Sequence, residues 1–128
     1  MKVNEIMSNP AITVKVDDTV RDVLKMMNDN NINGTPVIDD NDKLLGMLVK
    51  ADIYRFLIQP GHIEDCPVDW VMSKEVISCT VDESIVDVAK RIRENNIVGM
   101  PVLKDDKVTG VVSFEDIIDY FLSKCIED

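Results

Sequence analysis

The sequence predicts an α/β (α+β) fold made of two β-α-β-β-α units. Two observations carry this: the chain repeats itself, and within each copy the apolar spacing switches from strand-like to helical and back in the same order. Val3 to Leu57 lies over Val68 to Phe121 with one single-residue gap in a turn, and about twenty of roughly fifty-four aligned positions are identical. Met7-Ser8 falls on Met72-Ser73, Val16-Asp17 on Val81-Asp82, and Asp22-Val23 on Asp87-Val88. Asn30-Asn31-Ile32-Asn33-Gly34-Thr35-Pro36-Val37 falls on Asn95-Asn96-Ile97-Val98-Gly99-Met100-Pro101-Val102.

Each copy opens with a short β-type run, Ile12 to Val16 in the first. Val20, Val23, Leu24 and Met27 then recur at helical spacing, as do Ile85, Val88, Ala89 and Ile92, the latter after a Ser84/Asp87 capping-box pattern. A Gly-x-Pro step leads into a strand, Pro36 to Ile38 or Pro101 to Leu103. A polar turn, Asp39 to Lys43 or Lys104 to Lys107, joins it to a second strand, Leu44 to Val49 or Val108 to Ser113. A closing helix follows, Ala51 to Ile58 or Glu115 to Ile126. A three-stranded sheet covered by helices on one side leaves its other face bare, so the two repeats are expected to pack sheet to sheet. The expected organisation is repeat 1 over 1–58, a Pro-Gly linker over 59–67, and repeat 2 over 68–128.

Composition narrows the function. Twenty-four acidic residues against 14 basic ones, a formal charge of -10, would repel a phosphate backbone, so nucleic acid is not an expected partner. No apolar run approaches the roughly 20 residues that span a bilayer, and the start Met1-Lys2-Val3-Asn4-Glu5 is polar; no membrane partner and a cytoplasmic location are expected. Cys66, Cys79 and Cys125 are odd in number and widely spaced, which fits reduced thiols and no metal site. His62, the only histidine, sits in the linker and reads as solvated, and no serine or cysteine has a base partnered to it, so no enzyme is expected. Met26, Met27, Phe56 and Phe121 read mainly as core, and Trp70 as covering an edge of the core or, in the alternative, as a dimer contact.

The repeat order resembles that of cystathionine-β-synthase-type (CBS) domains. The motifs are the opening Val3-x-x-Ile6-Met7, the Gly-x-Pro-Val steps, and the ending Gly110-x-x-Ser113-x-x-Asp116. A tandem pair is similar to a Bateman module, which implies pseudo-twofold symmetry, two related clefts, AMP, ADP, ATP or S-adenosylmethionine as ligand, no catalytic cofactor, an effector protein that sequence does not identify, and a homodimer formed through helices. By resemblance the base would lie against one repeat and the ribose and phosphate against the Ser/Thr-x-x-Asp of the other. One set is then Ala11, Ile12, Ile32, Asn33, Gly34 and Pro36 with Val111, Ser113 and Asp116. The other is Val76, Ile77, Ile97, Val98, Gly99 and Pro101 with Met47, Val49 and Asp52.

The residue chemistry agrees with such sites. A carboxylate can accept hydrogen bonds from both ribose hydroxyls, and a helix start offers N–H groups to a phosphate. Val49 stands where Ser113 stands and has no hydroxyl, so the Asp116 set is expected to be the better nucleotide site, with Lys50 as partial compensation in the Asp52 set. Ser113 and Asp116 also form a plain capping box, which would explain both without a ligand. Gly34 and Gly99 could serve close approach of a planar base or only the strand entry. A ligand-free dimerisation or docking module is the alternative function.

Overall fold

A computed structural model describes residues 1–127; Asp128, the last residue of the expected second repeat, lies outside them. Helix α1 spans Val20–Asn30, followed by strands β1 (Gly34–Ile38) and β2 (Leu44–Val49) and helix α2 (Lys50–Leu57). The second series is β3 (Cys79–Thr80), α3 (Ile85–Asn95), β4 (Gly99–Lys104), β5 (Lys107–Ser113) and α4 (Phe114–Glu127). Single 3-10 turns at Val3–Glu5 and Val68–Trp70 precede the two series.

The helices start and stop for local reasons. Thr19 Oγ1 accepts the Asp22 N–H at the start of α1 and Ser84 Oγ accepts the Asp87 N–H at the start of α3, so one half of a capping box is made at each. Both helices end at an asparagine in the left-handed region, Asn31 (φ 55°) and Asn96 (φ 52°), a conformation asparagine tolerates better than most residues. The apolar faces that the spacing predicts are buried: Val20, Val23 and Met27 on α1, and Ile85, Val88 and Ile92 on α3.

Strands β1 and β2 form an antiparallel pair with Gly34 opposite Val49 and Pro36 opposite Met47. Strands β4 and β5 repeat this, with Gly99 opposite Ser113 and Pro101 opposite Val111, and β3 adds in parallel beside β4. The expected first strand of repeat 1 is reduced to one parallel bridge, Val14 to Val37. Lys15 donates its N–H to the Asp18 carboxylate at 2.8 Å, as Thr80 does to Glu83 in the second series.

The compact units are offset from the sequence repeats. One holds residues 12–76; the other holds residues 1–11 together with the described residues from 77 onward. Val3, at the start of repeat 1, is fully buried in a core with Cys79, Val88, Ile92, Met100 and Val112. Val68, at the start of repeat 2, is fully buried with Val20, Met27, Val37, Leu48 and Ile53. The expected linker therefore contributes structure: Cys66 is buried, and the carbonyls of Cys66 and Glu64 accept the N–H groups of Val20 and Arg21.

The same offset closes the free edge of each hairpin. Ser8 and Val111 exchange backbone hydrogen bonds at 2.8 and 3.2 Å, and Ser73 and Met47 do so at 2.9 Å each. Glycine is required opposite each contact. A Cβ at Gly110 would lie 2.7 Å from the Ser8 carbonyl oxygen, and one at Gly46 would lie 2.7 Å from that of Ser73.

Three sequence expectations are corrected. Trp70 is 66% exposed and not core, because it ends a single 3-10 turn in which Val68 takes the buried position. Phe121 is also exposed, at 42%. His62 is half-buried and not freely solvated: its ring stacks on Phe56 at 3.9 Å between centroids, and its Nδ1 lies 2.9 Å from the Phe56 carbonyl oxygen.

Candidate functional site

The two expected site sets are each drawn from both compact units, so the structure is described one unit at a time. In the unit of residues 12–76, the loop from Ile32 runs into β1 at Gly34, beside the end of β2 and the start of α2. Lys50 donates its N–H to the Asn33 carbonyl at 2.8 Å, which ties the two segments together. Gly34, Pro36, Met47, Val49 and Asp52 thus share one hairpin and its following helix, and Ile12 lies beside it through the bond from Thr35 Oγ1 to the Ile12 carbonyl at 2.8 Å. Val76 ends this unit.

The other unit has the same arrangement. Phe114 donates its N–H to the Val98 carbonyl at 2.8 Å, so the loop from Ile97 meets the start of α4. Gly99, Pro101, Val111, Ser113 and Asp116 share this hairpin and helix start; Ala11 and Ile77 belong to this unit as well.

The two helix starts differ. Ser113 and Asp116 make the full reciprocal capping box: the Ser113 N–H donates to Asp116 Oδ2 at 2.9 Å and the Asp116 N–H donates to Ser113 Oγ at 3.1 Å. This uses one carboxylate oxygen and one hydroxyl lone pair, and the hydroxyl hydrogen is still a donor. Cap and ligand contact are therefore compatible.

Val49 supplies no side-chain acceptor to the start of α2. Asp52 instead pairs with Arg55 one turn later, an interaction in which the Arg55 side chain is 68% exposed and that of Asp52 32%. The Lys50 ammonium is directed to Asn28 Oδ1 at 2.7 Å.

The two site glycines are explained by packing. A Cβ on Gly99 would come within 2.8 Å of the Val112 carbonyl oxygen, and one on Gly34 within 3.2 Å of Met47 Cε and 3.3 Å of Val49 Cγ1. Neither has a positive φ, so hairpin closeness and not a left-handed turn is the constraint.

Arg91 was not among the residues that the sequence singles out. Its guanidinium holds Glu83 at 2.5 Å and the Ser78 carbonyl at 2.9 Å, while Glu83 accepts the Thr80 N–H at 2.8 Å, so the segment entering β3 is clasped to α3. The Arg91 bond holds the Glu83 carboxyl below its ordinary range, and the carboxylate in turn raises the guanidinium. The one legible signal was the Glu83/Arg91 charge pair; its position in repeat 1 is Asp18 and Met26, which make no such clasp. Among the described residues no cluster of His, Cys, Asp and Glu is arranged to hold a metal, and no helix is long and apolar enough to cross a membrane.

The CBS domain family model matches residues 3–59 and 64–123. The uncharacterized protein MJ1404 of Methanocaldococcus jannaschii is 32% identical over 132 residues, covering 93% of this chain and 31% of that protein. The L-aspartate semialdehyde sulfurtransferase of the same organism is 32% identical over 123 residues, covering 95% of this chain and 23% of the enzyme. The chain thus spans a third or less of these curated relatives. Among solved structures, the CBS domain pair of protein MJ0100, in complex with 5'-methylthioadenosine and S-adenosyl-L-methionine, is 32% identical with a TM-score of 0.88, covering 97% of this chain and 98% of that one. Two matched repeats in sequence, and a fold shared over nearly the whole length of a CBS domain pair, place this chain in the CBS domain family.

Proposed function

We propose that the chain is a regulatory module that binds an adenosine-containing ligand and performs no chemistry on it. The observation that carries this reading is the likeness to a CBS domain pair, at 32% identity over 97% of this chain, that holds two adenosine compounds. The ligand contacts are assigned to the two sets read from the sequence: Ala11, Ile12, Ile32, Asn33, Gly34 and Pro36 with Val111, Ser113 and Asp116, and Val76, Ile77, Ile97, Val98, Gly99 and Pro101 with Met47, Val49 and Asp52. AMP, ADP, ATP and S-adenosylmethionine are the ligand candidates. A carboxylate at each helix start suits a ribose diol, since it can accept from both hydroxyls.

The module would act in the cytoplasm, where its three free thiols stay reduced, and would pass its output to an effector protein or to a domain of the same polypeptide. Exposed apolar side chains on the closing helices support a homodimer: Tyr54 and Ile58 at α2, and Phe121, Leu122 and Ile126 on α4. Light scattering that gives a monomer across micromolar concentrations would reject that part.

Isothermal titration with AMP, ATP, 5'-methylthioadenosine and S-adenosylmethionine tests the ligand reading. Micromolar binding that is lost in Asp116→Ala or Asp52→Ala, with both variants folded by circular dichroism, is the expected result. No heat with any of the four would leave a ligand-free dimerisation or docking module.

A further inference from the structure

Resting on the adenosine reading, we infer that the two helix starts select opposite ligand charge: the α2 start takes an adenosine ligand that carries phosphate, and the α4 start one that carries a cationic or uncharged 5' group. The hydroxyl pattern alone points the other way, since Ser113 stands at α4 and Val49 at α2. Three features of the structure reverse it.

The first is donor supply. At α4 the N–H groups of Ser113, Phe114 and Asp116 are engaged by Asp116 Oδ2, the Val98 carbonyl and Ser113 Oγ. Ser113 Oγ already accepts a hydrogen bond, so a single O–H is what it offers an anion. At α2 the Lys50 N–H is likewise engaged, by the Asn33 carbonyl, so the contrast lies in the side chains: Val49 supplies no acceptor to the N–H groups of this helix start.

The second is local charge. The α4 start carries Glu115, Asp116 and Asp119, three carboxylates within its first two turns. The α2 start carries Lys50, Asp52 and Arg55, two cations and one carboxylate. Arg93, which stands on α3 where Asn28 stands on α1, lessens the contrast by one charge without changing its sign. The third is the pairing itself. Arg55 neutralises Asp52, whereas the position of Arg55 in the second repeat is Asp119, which adds a negative charge near Asp116. A phosphate approaching Asp116 is repelled and a sulfonium attracted, and the reverse holds at Asp52.

The test is calorimetric titration of the full chain and two charge reversals, Arg55→Glu and Asp119→Arg, with AMP and with S-adenosylmethionine as probes. Reversing one exposed charge changes the local total by two units, and at the scale of exposed ion pairs this gives about fivefold in affinity. Arg55→Glu is expected to weaken AMP about fivefold and leave S-adenosylmethionine within about twofold. Asp119→Arg is expected to weaken S-adenosylmethionine by a similar factor and spare AMP. Arg55→Lys, which keeps the charge, should bind AMP like the parent and shows that the Arg55→Glu effect is not one of folding. Equal weakening of both probes by either reversal, or no change in either, overturns the assignment while the adenosine reading stands. A parent chain that binds neither probe overturns both.

Discussion

Gly110→Ala tests the offset pairing of the compact units most directly. A Cβ at residue 110 would lie 2.5 Å from Met7 Sδ and 2.7 Å from the Ser8 carbonyl oxygen, where ordinary contact begins at 3.4 Å. The Met7 side chain can swing aside, but the Ser8 oxygen is backbone and must retreat by roughly 0.7 Å. That retreat strains both bonds between Ser8 and Val111, each worth about 1 kcal/mol net, on top of an overpacking cost of about 1–3 kcal/mol. The expected loss is about 2–4 kcal/mol in urea unfolding followed by circular dichroism. Amide hydrogen exchange at Ser8 and Val111 should accelerate by more than exchange in β1 and β2. Gly61→Ala is the control: it meets nothing within 4 Å and has φ +84°, so it should cost about 1 kcal/mol of backbone strain and leave the Ser8 amide as protected as before. A Gly110→Ala chain within about 0.5 kcal/mol of the parent, with Ser8 still protected, would refute residues 1–11 as the edge partner of β5.

The clasp at Arg91 makes a pH-dependent prediction. Because the folded state lowers the Glu83 pKa below its ordinary 4.5, the pair stabilises the fold above that value and loses its contribution as pH falls through the lower folded value. Glu83→Gln should cost about 1 kcal/mol near neutral pH, a figure already reduced for side chains about a quarter to a third exposed, and the gap should close in acid; a gap that stays constant from pH 7 to pH 3 would contradict this. Thiol reactivity gives a second check. Cys125 is exposed, Cys66 is buried, and burial pushes the Cys79 thiol up to about 12, so one thiol should react promptly with an aromatic disulfide reagent at pH 8 and the other two only on unfolding. Prompt reaction of Cys79 in the folded chain would count against its position in the core.

Much of the fold was legible because apolar period and capping chemistry are local. Val20, Val23 and Met27 announce α1 by their spacing, and Gly-x-Pro followed by a polar turn announces each hairpin. The ends of the candidate sites were legible in the same way, since Ser113-x-x-Asp116 is a local motif that forms the box its spacing allows. Val14 was less legible: an apolar run marks a strand, but how many rungs it makes depends on the neighbouring strand, and here it makes one, with Val37.

By itself the sequence determined the identity and order of the elements, their duplication, and the glycines that some close approach must require. Which copy of the repeated opening segment each hairpin receives was decided by tertiary structure alone. Met7-Ser8 and Met72-Ser73 are the same dipeptide, and Gly46 and Gly110 provide the same gap for it, so local complementarity is degenerate between the two pairings. The chain resolves it by burying Val3 among the residues of the second series and Val68 among those of the first. The same holds for the exposure of Trp70 and for the stacking of His62 on Phe56. Each depends on which surface remains once the cores are filled, a quantity that no local pattern contains.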